Sequence, residues 1–283
     1  MKLYTFLAAL LITITATAQD KQGYQLFTKE GKKTNYKKLL KATADTEVVL
    51  FGEEHDNALI HWLQLELTKD IAAKKSIVMG AEMIEADNQK QLDQYLAGTI
   101  DQKAFDTLAR LWPNYKGDYK PLVDFAKENK IKFVAANIPR RYASLVYKQG
   151  LESLDALSAE EKTWIAPLPI AYDATLPGYV KMLEMSGGHG GDNLPKAQAV
   201  KDATMGYFIA QNLVAGSVFI HYNGTYHSDN YEGINWYLKK LKPEVKIITI
   251  ATVSQKDLDK LEAEHFNKAD FIIVVDEDMT KTR

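Results

Sequence analysis

The stretch Leu50-Phe-Gly-Glu-Glu-His-Asp-Asn57 joins the pattern of a buried strand to that of an amphipathic helix. The run before it, Glu47-Val-Val-Leu-Phe51, is apolar and β-branched, which is typical of a strand covered on both faces. From Asn57 to Lys75 the apolar residues recur at helical spacing, with Asp56 or Asn57 as the predicted N-cap. This order predicts polar side chains at the carboxyl end of a strand, where α/β proteins bind their ligands.

A second stretch, Ser217-Val-Phe-Ile-His-Tyr-Asn-Gly-Thr-Tyr-His-Ser-Asp-Asn230, repeats the same signature. Both stretches run from an apolar strand into Gly-x-x-His and then into Asp-Asn, which follows directly in the first and after one serine in the second. Two strand ends with one signature predict a single shared site.

Residues 1–18 have the features of a secretory signal peptide. One lysine precedes a short apolar core, which ends at Ala16-Thr-Ala18, and the core is shorter than the roughly 20 residues of a membrane span. Cleavage leaves about 265 residues, and we expect 19–283 to form one domain with no membrane span. Removing Lys2 takes the net charge of −2 to −3, so no affinity for nucleic acid is expected. The absence of cysteine excludes disulfides, thiolate metal sites and a lipoprotein anchor.

Further strand patterns alternate with helix patterns along the chain. Such alternation predicts an α/β fold, with a mostly parallel β-sheet flanked by helices. Residues 142–212 are mainly helical in pattern and predict a cap insertion over the carboxyl edge of the sheet. The additional predicted strands are Ser76–Met83, Ile131–Ala136, Val245–Thr252 and Phe271–Val275.

Four side chains stand at or near the ends of predicted strands, namely Glu53, His55, Glu82 and His227. Two imidazoles and two carboxylates suit a divalent ion such as zinc, manganese, cobalt or ferrous iron, with His55, Glu82 and His227 as ligands. The same set suits metal-free acid–base catalysis by a histidine that a carboxylate orients. The spacing differs from the helical His-Glu-x-x-His of zinc proteases. A purely structural role for the cluster also stays open.

Other candidates lie in or beside the predicted cap. His189 stands in the glycine-rich segment 186–193 and is either a plain loop residue or a ligand over the site. The predicted cap contains Tyr142, Tyr147, Tyr172 and Tyr179, and a tyrosine phenolate can bind haem iron. Arg140 and Arg141 follow a strand and either begin a solvated helix or pair with a carboxylate or propionate.

Five short motifs together resemble those of one protein family. The chain resembles the ChaN-like haem-binding uptake proteins of the Tiki superfamily, and the similarity extends over roughly residues 45–253. The motifs are Gly52-Glu-Glu-His-Asp-Asn57, Gly80-Ala-Glu-Met83, Asn137-Ile-Pro-Arg140, Gln198-x-x-Lys-Asp202 and Gly224-x-x-His227.

The resemblance implies an α/β core with a helical cap and an extracytoplasmic haem-binding role in iron acquisition. It implies haem ligation by a tyrosine, for which Tyr172 and Tyr179 are the candidates, and paired haems at the interface of a homodimer. His189 and Arg140 are the other candidate haem contacts. Bacterial relatives are often lipoproteins, whereas this chain has no cysteine, so we expect a periplasmic or secreted protein.

The wider superfamily also resembles erythromycin esterases and metal-dependent Tiki peptidases. Their histidines and strand-end glutamate correspond to His55, Glu82 and His227 here. The resemblance therefore leaves a metal-dependent peptidase or esterase as the alternative to haem binding. A third interpretation is a former enzyme whose cluster now stabilises the strand ends.

Overall fold

A computed structural model describes residues 22–187 and 191–282 and has an eight-stranded sheet at its centre. The predicted signal peptide and His189 lie outside the described residues. The strands are β1 Tyr24–Thr28, β2 Lys33–Thr34, β3 Val48–Glu53, β4 Ile77–Glu85, β5 Phe133–Asn137, β6 Val218–Gly224, β7 Ile247–Gln255 and β8 Phe271–Asp276.

Helices connect the strands and cover both faces of the sheet. Short 3₁₀ turns and one π-helical turn, Tyr115–Tyr119, complete the connections. The α-helices are α1 Tyr36–Ala42, α2 Ala58–Ala72, α3 Gln89–Leu96, α4 Gln102–Leu108, α5 Lys120–Glu128, α6 Arg140–Gln149, α7 Pro177–Met185, α8 Asn193–Gln211 and α9 Ile234–Leu241. No α-helix of the described ranges is long and apolar enough to cross a membrane.

The strand order is β2-β1-β8-β7-β3-β6-β4-β5. From β8 to β5 every neighbouring pair is parallel, and only β1 and β2 run antiparallel to their neighbours. The predicted α/β class with a mostly parallel sheet is therefore confirmed. The carboxyl ends of β3, β6 and β4 lie side by side, because β6 pairs with both of the other strands.

Strand β3 is buried along its whole length, as its apolar run predicts. Val49 and Phe51 point to the face that α2 covers, whereas Val48 and Leu50 point to the face that α8 covers. Successive strand residues alternate between faces, so a strand between two helical layers needs apolar residues at every position.

The helices from α6 to the first half of α8, here called the cap, have a hydrophobic cluster of their own. Tyr142 and Val146 of α6 pack there with Val200 of α8. Further along α8, Met205 and Ile209 pack against the sheet instead. One continuous helix thereby holds the cap at a fixed position relative to the strands.

Candidate functional site

The two repeated signatures lie next to each other. In the register of β3 and β6, Gly52 pairs with Asn223 and Glu53 pairs with Gly224. Strand β4 flanks β6 on the other side, with Ala81 paired to Tyr222. The structure thus brings Glu53, His55, Glu82 and His227 to one edge of the sheet.

His55 is oriented by the buried carboxylate of Glu53. Nδ1 of His55 lies 2.8 Å from Oε1 of Glu53, which also accepts a 2.7 Å hydrogen bond from the Tyr119 hydroxyl. The second carboxylate oxygen accepts a 2.6 Å bond from Nε2 of Gln64. Burial opposes protonation of His55, but the hydrogen bond with Glu53 and the charge of Glu82 raise its pKa. The side chain is 30% exposed and lines the cleft described below.

His227 lies between two buried carboxylates. Its Nε2 is 3.2 Å from Oε1 of Glu82, and its Nδ1 is 2.5 Å from Oδ1 of Asp202. Burial alone would lower the pKa of His227, yet Glu82 and Asp202 together raise it to about 10. Burial would likewise raise the pKa of Glu82, but His227, His55 and the Gly224 amide, which donates a 2.7 Å bond, hold it far below its usual value. We call Glu82, His227 and Asp202 the ion triad.

Two further residues of this edge, Asp202 and His61, were not among the predicted site residues. Asp202 stands in a family motif, but nothing in its helical context indicates a histidine partner. Helical spacing places His61 opposite the apolar face of α2, which predicts that it points to solvent or into a site and not into the core, and the structure buries it in a polar network. Its Nε2 lies 3.2 Å from the carbonyl oxygen of His55, and its Nδ1 lies 3.2 Å from Oε1 of Gln64. The spacing of His61 and Gln64 on one helix face is the one local signal for this network.

The metal-ligand role of His55, Glu82 and His227 stays a prediction. Both ring nitrogens of His227 face carboxylates, so neither presents a lone pair to an ion in this arrangement. Among residues 22–187 and 191–282, three metal-binding atoms come within 4.8 Å of one another only at Glu262, Glu264 and His265. The two glutamates are exposed, so that set indicates no site.

A cleft of about 1200 Å³ lies above this edge, between the cap and the segment that follows α4. His55, Glu82 and His227 lie at its floor. The walls comprise Glu85, Arg110, Leu111, Trp112, Pro113, Asn137, Ile138, Arg140, Arg141, Ala143, Ser144, Tyr147, Lys148, Leu194, Ala197, Gln198 and Lys201.

The residues named as haem contacts differ in their access to the cleft. Arg140 lines it, whereas Tyr172 and Tyr179 do not. Tyr179 is 4% exposed, lies in the hydrophobic cluster of the cap, and has its hydroxyl 3.5 Å from Oδ2 of Asp202. Tyr172 stacks on Tyr179 with ring centroids 5.5 Å apart. Tyr147 was noted among the tyrosines of the predicted cap but was not one of the two candidate haem ligands, and it lines the cleft and is 42% exposed.

Solved structures of known proteins share this fold. A structure of cofacial haem binding to ChaN of Campylobacter jejuni superposes with a TM-score of 0.67 and 18% identity, covering 91% of this chain and 98% of that chain. A protein of Bacillus cereus superposes with a TM-score of 0.51 and 12% identity, covering 85% of this chain and 90% of that chain. At these identities the likeness shows the fold alone.

A curated relative matches part of the chain. Over 169 residues the chain is 22% identical to Protein RETICULATA-RELATED 5, chloroplastic, of Arabidopsis thaliana. The match covers 54% of this chain and 23% of that protein, so the chain spans less than a quarter of its relative.

The family assignment comes from a match along most of the chain. The model of the family described as haem-binding uptake, Tiki superfamily, ChaN, matches residues 39–238. This range includes both signatures, the cap and the ion triad. The chain therefore belongs to the ChaN family of the Tiki superfamily.

Proposed function

We propose that this protein binds haem in the cleft, as part of haem or iron uptake outside the cytoplasm. The observation that carries the proposal is the lining of the cleft, where an exposed phenol and apolar side chains occur together with cations, three of which have no ion-pair partner among the residues that the structure describes. Haem needs such a set, because its iron accepts an axial ligand, its ring is flat and apolar, and its propionates are anionic. The family and the fold of ChaN support the same function.

Tyr147 is the tyrosine whose position best suits haem iron. It is exposed on the cleft side of α6, whereas the hydroxyl of Tyr142 is engaged with Glu161. Burial, and after it the charge of Asp202, strongly raises the pKa of Tyr179, which opposes formation of a phenolate there. Tyr147 is thus a better candidate than Tyr172 or Tyr179.

Titration with hemin tests the proposal. We expect a saturable Soret shift with the wild-type protein, a weakened and spectrally altered complex with Tyr147→Phe, and little change with Tyr172→Phe or Tyr179→Phe. Loss of the shift in Tyr179→Phe with retention in Tyr147→Phe would reassign the ligand. A wild-type protein without saturable binding at micromolar hemin would overturn the haem proposal itself.

The proposal also covers the location of the protein and its oligomeric state. Residues 1–18 are proposed to direct export, which leaves a periplasmic or secreted protein, and a homodimer would place two haems face to face. Edman sequencing of the exported protein and sedimentation with and without hemin test these two points. An unprocessed N-terminus, or a monomer at every hemin concentration, would contradict the corresponding point.

A second candidate function is hydrolysis of a peptide or ester, and the geometry of His55 favours it. A carboxylate orients Nδ1 of the ring, and the ring lines the cleft, which is an arrangement suited to a general base. Water activated by His55 would attack the carbonyl carbon of a peptide or ester bound in the cleft. A divalent ion such as zinc, manganese, cobalt or iron would be held by His55, Glu82 and His227 only if His227 lost its proton and turned one nitrogen away from its carboxylate partner. Such an ion would supply Lewis-acid activation of water.

Two assays distinguish this function from haem binding. Hydrolysis of peptide and ester panels should disappear in His55→Ala and persist in the matched variant His265→Ala, whose histidine lies outside the cleft. Bound metal, measured after purification without chelator, should fall in His55→Ala and His227→Ala if an ion takes part. No turnover by the wild-type protein on any substrate would reject this candidate and leave the haem proposal standing.

A further inference from the structure

We infer that the cleft recognises its ligand by carboxylate groups, which Arg140, Lys148 and Lys201 receive. This inference rests on the proposed haem function and extends it. It makes the carboxylate groups of the ligand, and not its iron, the main determinant of recognition. The ligand class is then a flat apolar tetrapyrrole with free carboxylates, with or without iron.

The charge of the cleft walls supports this inference. The chain as a whole has a net charge of −2, yet the cleft is lined by Arg110, Arg140, Arg141, Lys148 and Lys201 against only two carboxylates. One of these carboxylates belongs to the ion triad, where the protonated His227 balances it. A concave surface with an excess of one charge attracts ligands of the opposite charge.

The five cations fall into two groups. Arg110 pairs with Glu85 and Asp87, and Arg141 lies 2.6 Å from Asp87, so these two arginines are held by acidic partners of the protein. Arg140, Lys148 and Lys201 make no ion pair with any residue in the described ranges. They are therefore the cations that a ligand can engage without breaking an existing pair. We call these three residues the cationic rail.

Helical spacing places the cationic rail on two neighbouring helices of the cap, α6 and α8, which pack against each other. Arg140 and Lys148 are separated by eight residues of α6, and positions four and eight apart lie on one helix face, about 12 Å apart here. Lys201 follows Leu194 by seven residues on α8, again on one face. Tyr147 lies beside Lys148, so a ligand whose metal meets Tyr147 has its edge within reach of the rail.

Apolar side chains complete the recognition of such a ligand. Leu111, Ile138 and Leu194 line the same cleft, and the indole of Trp112 lies at its wall. An apolar wall buries the body of a flat ligand, while cations at the rim receive its anionic groups. A small inorganic anion would leave this apolar surface uncovered, so the lining favours an amphipathic ligand.

Three porphyrins separate recognition of carboxylates from ligation of iron. Binding of hemin, of hemin dimethyl ester and of iron-free protoporphyrin IX is measured on the wild-type protein, on Arg140→Gln, Lys148→Gln and Lys201→Gln, and on Tyr147→Phe. Lys90→Gln is the matched control, because Lys90 is exposed and lies away from the cleft. Affinities are read from Soret absorbance and tryptophan quenching at low and high salt.

The cationic rail predicts a specific pattern. Esterification should weaken binding about tenfold, and each rail variant should weaken hemin and protoporphyrin IX alike by about fivefold, with little further effect on the ester. Tyr147→Phe should weaken hemin and leave the iron-free ring unchanged, and Lys90→Gln should change nothing.

Two results would overturn the inference, and they are distinguishable. Equal affinity of the wild-type protein for hemin and its dimethyl ester would refute the cationic rail while leaving haem binding intact. Absence of saturable binding for all three porphyrins would refute the proposed function, and the inference with it.

Discussion

The imidazole of His55 occupies the space in which a side chain at Gly224 would begin. A Cβ atom built on Gly224 would lie 2.6 Å from Nε2 of His55 and 3.5 Å from Oε2 of Glu82. The glycine of the second signature therefore makes room for the histidine of the first. The two Gly-x-x-His turns are parts of one packed unit and not two independent loops.

Substitution Gly224→Ala should displace the His55 ring from Glu53. We expect the raised pKa of His55 to fall towards its ordinary value, because the contact with the carboxylate is lost, and stability to fall by about 1 kcal/mol from overpacking. Histidine titration by NMR measures the first effect. Gly117→Ala is the matched control, since a Cβ there meets nothing within 4 Å. An unchanged His55 titration in Gly224→Ala would contradict this packing.

Substitution Glu53→Gln should destabilise the fold by about 2 kcal/mol. The buried carboxylate accepts bonds from Tyr119 and Gln64 and contacts Nδ1 of His55, and an amide cannot accept on both of its ends. Urea unfolding measures the loss. Glu54→Gln next to it should cost less than about 1 kcal/mol, because its pair with Lys281 is partly exposed. Equal losses of unfolding free energy in Glu53→Gln and Glu54→Gln would show that Glu53 does not organise the site.

His221 should make the protein less stable as the pH falls from 6.5 towards 4. Burial lowers its pKa from 6.5 to about 4, so in this range the unfolded chain binds a proton that the native chain does not. The neutral His221 therefore contributes its full stabilisation of the native state above pH 6.5, and this contribution is lost as the pH approaches 4. The full effect is roughly 3 kcal/mol.

The variant His221→Asn tests this pH dependence. Its amide can still donate to Asn223, as Nδ1 of the imidazole does over 3.1 Å, but it does not titrate. Unfolding free energies of both proteins between pH 7 and pH 4 should show a flatter profile for the variant. Parallel profiles would mean that His221 binds its proton equally in both states.

Thr282 and Lys281 should help to stabilise the turn that contains His55 and Asp56. The Thr282 hydroxyl donates a 2.9 Å bond to buried Asp118, and the Thr282 amide donates to the carbonyl oxygen of Asp56. Thr282→Val should therefore cost about 1 kcal/mol. Lys281→Ala should cost less, because its pairs with Glu54 and Asp56 are partly exposed. Thermal unfolding gives the comparison, and the reverse order of costs would contradict it.

The strands were predictable because each has a strong local signal. The run Val48–Glu53 has no polar residue before its last position, and only a strand covered on both faces needs such a pattern. Asp56 or Asn57 was predicted as the N-cap of α2, and the structure selects Asn57, whose side chain accepts from the Ile60 amide. The partners of Glu53 were not predictable, since Gln64 and Tyr119 are ordinary surface or core residues by their local context.

Local sequence patterns could not predict which tyrosine of the cap is exposed to the cleft. Tyr147, Tyr172 and Tyr179 all stand in helical or loop segments of the cap, and nothing in their neighbours in the sequence separates an exposed phenol from a buried one. Exposure depends on how α6, α7 and α8 pack together, and this packing leaves Tyr147 open to the cleft and encloses Tyr179.

Sequence patterns were sufficient for the α/β class and for the pairing of two signatures at strand ends, because side-chain periodicity and strand direction are local properties of the chain. The ion triad and the contact of His55 with Gly224 required the folded chain. Residues 55 and 224 meet because β3 and β6 are neighbours in the sheet, although most of the chain separates them. Glu82 and Asp202, which raise the pKa of His227 to about 10 against the effect of its burial, meet it only once α8 packs over that edge.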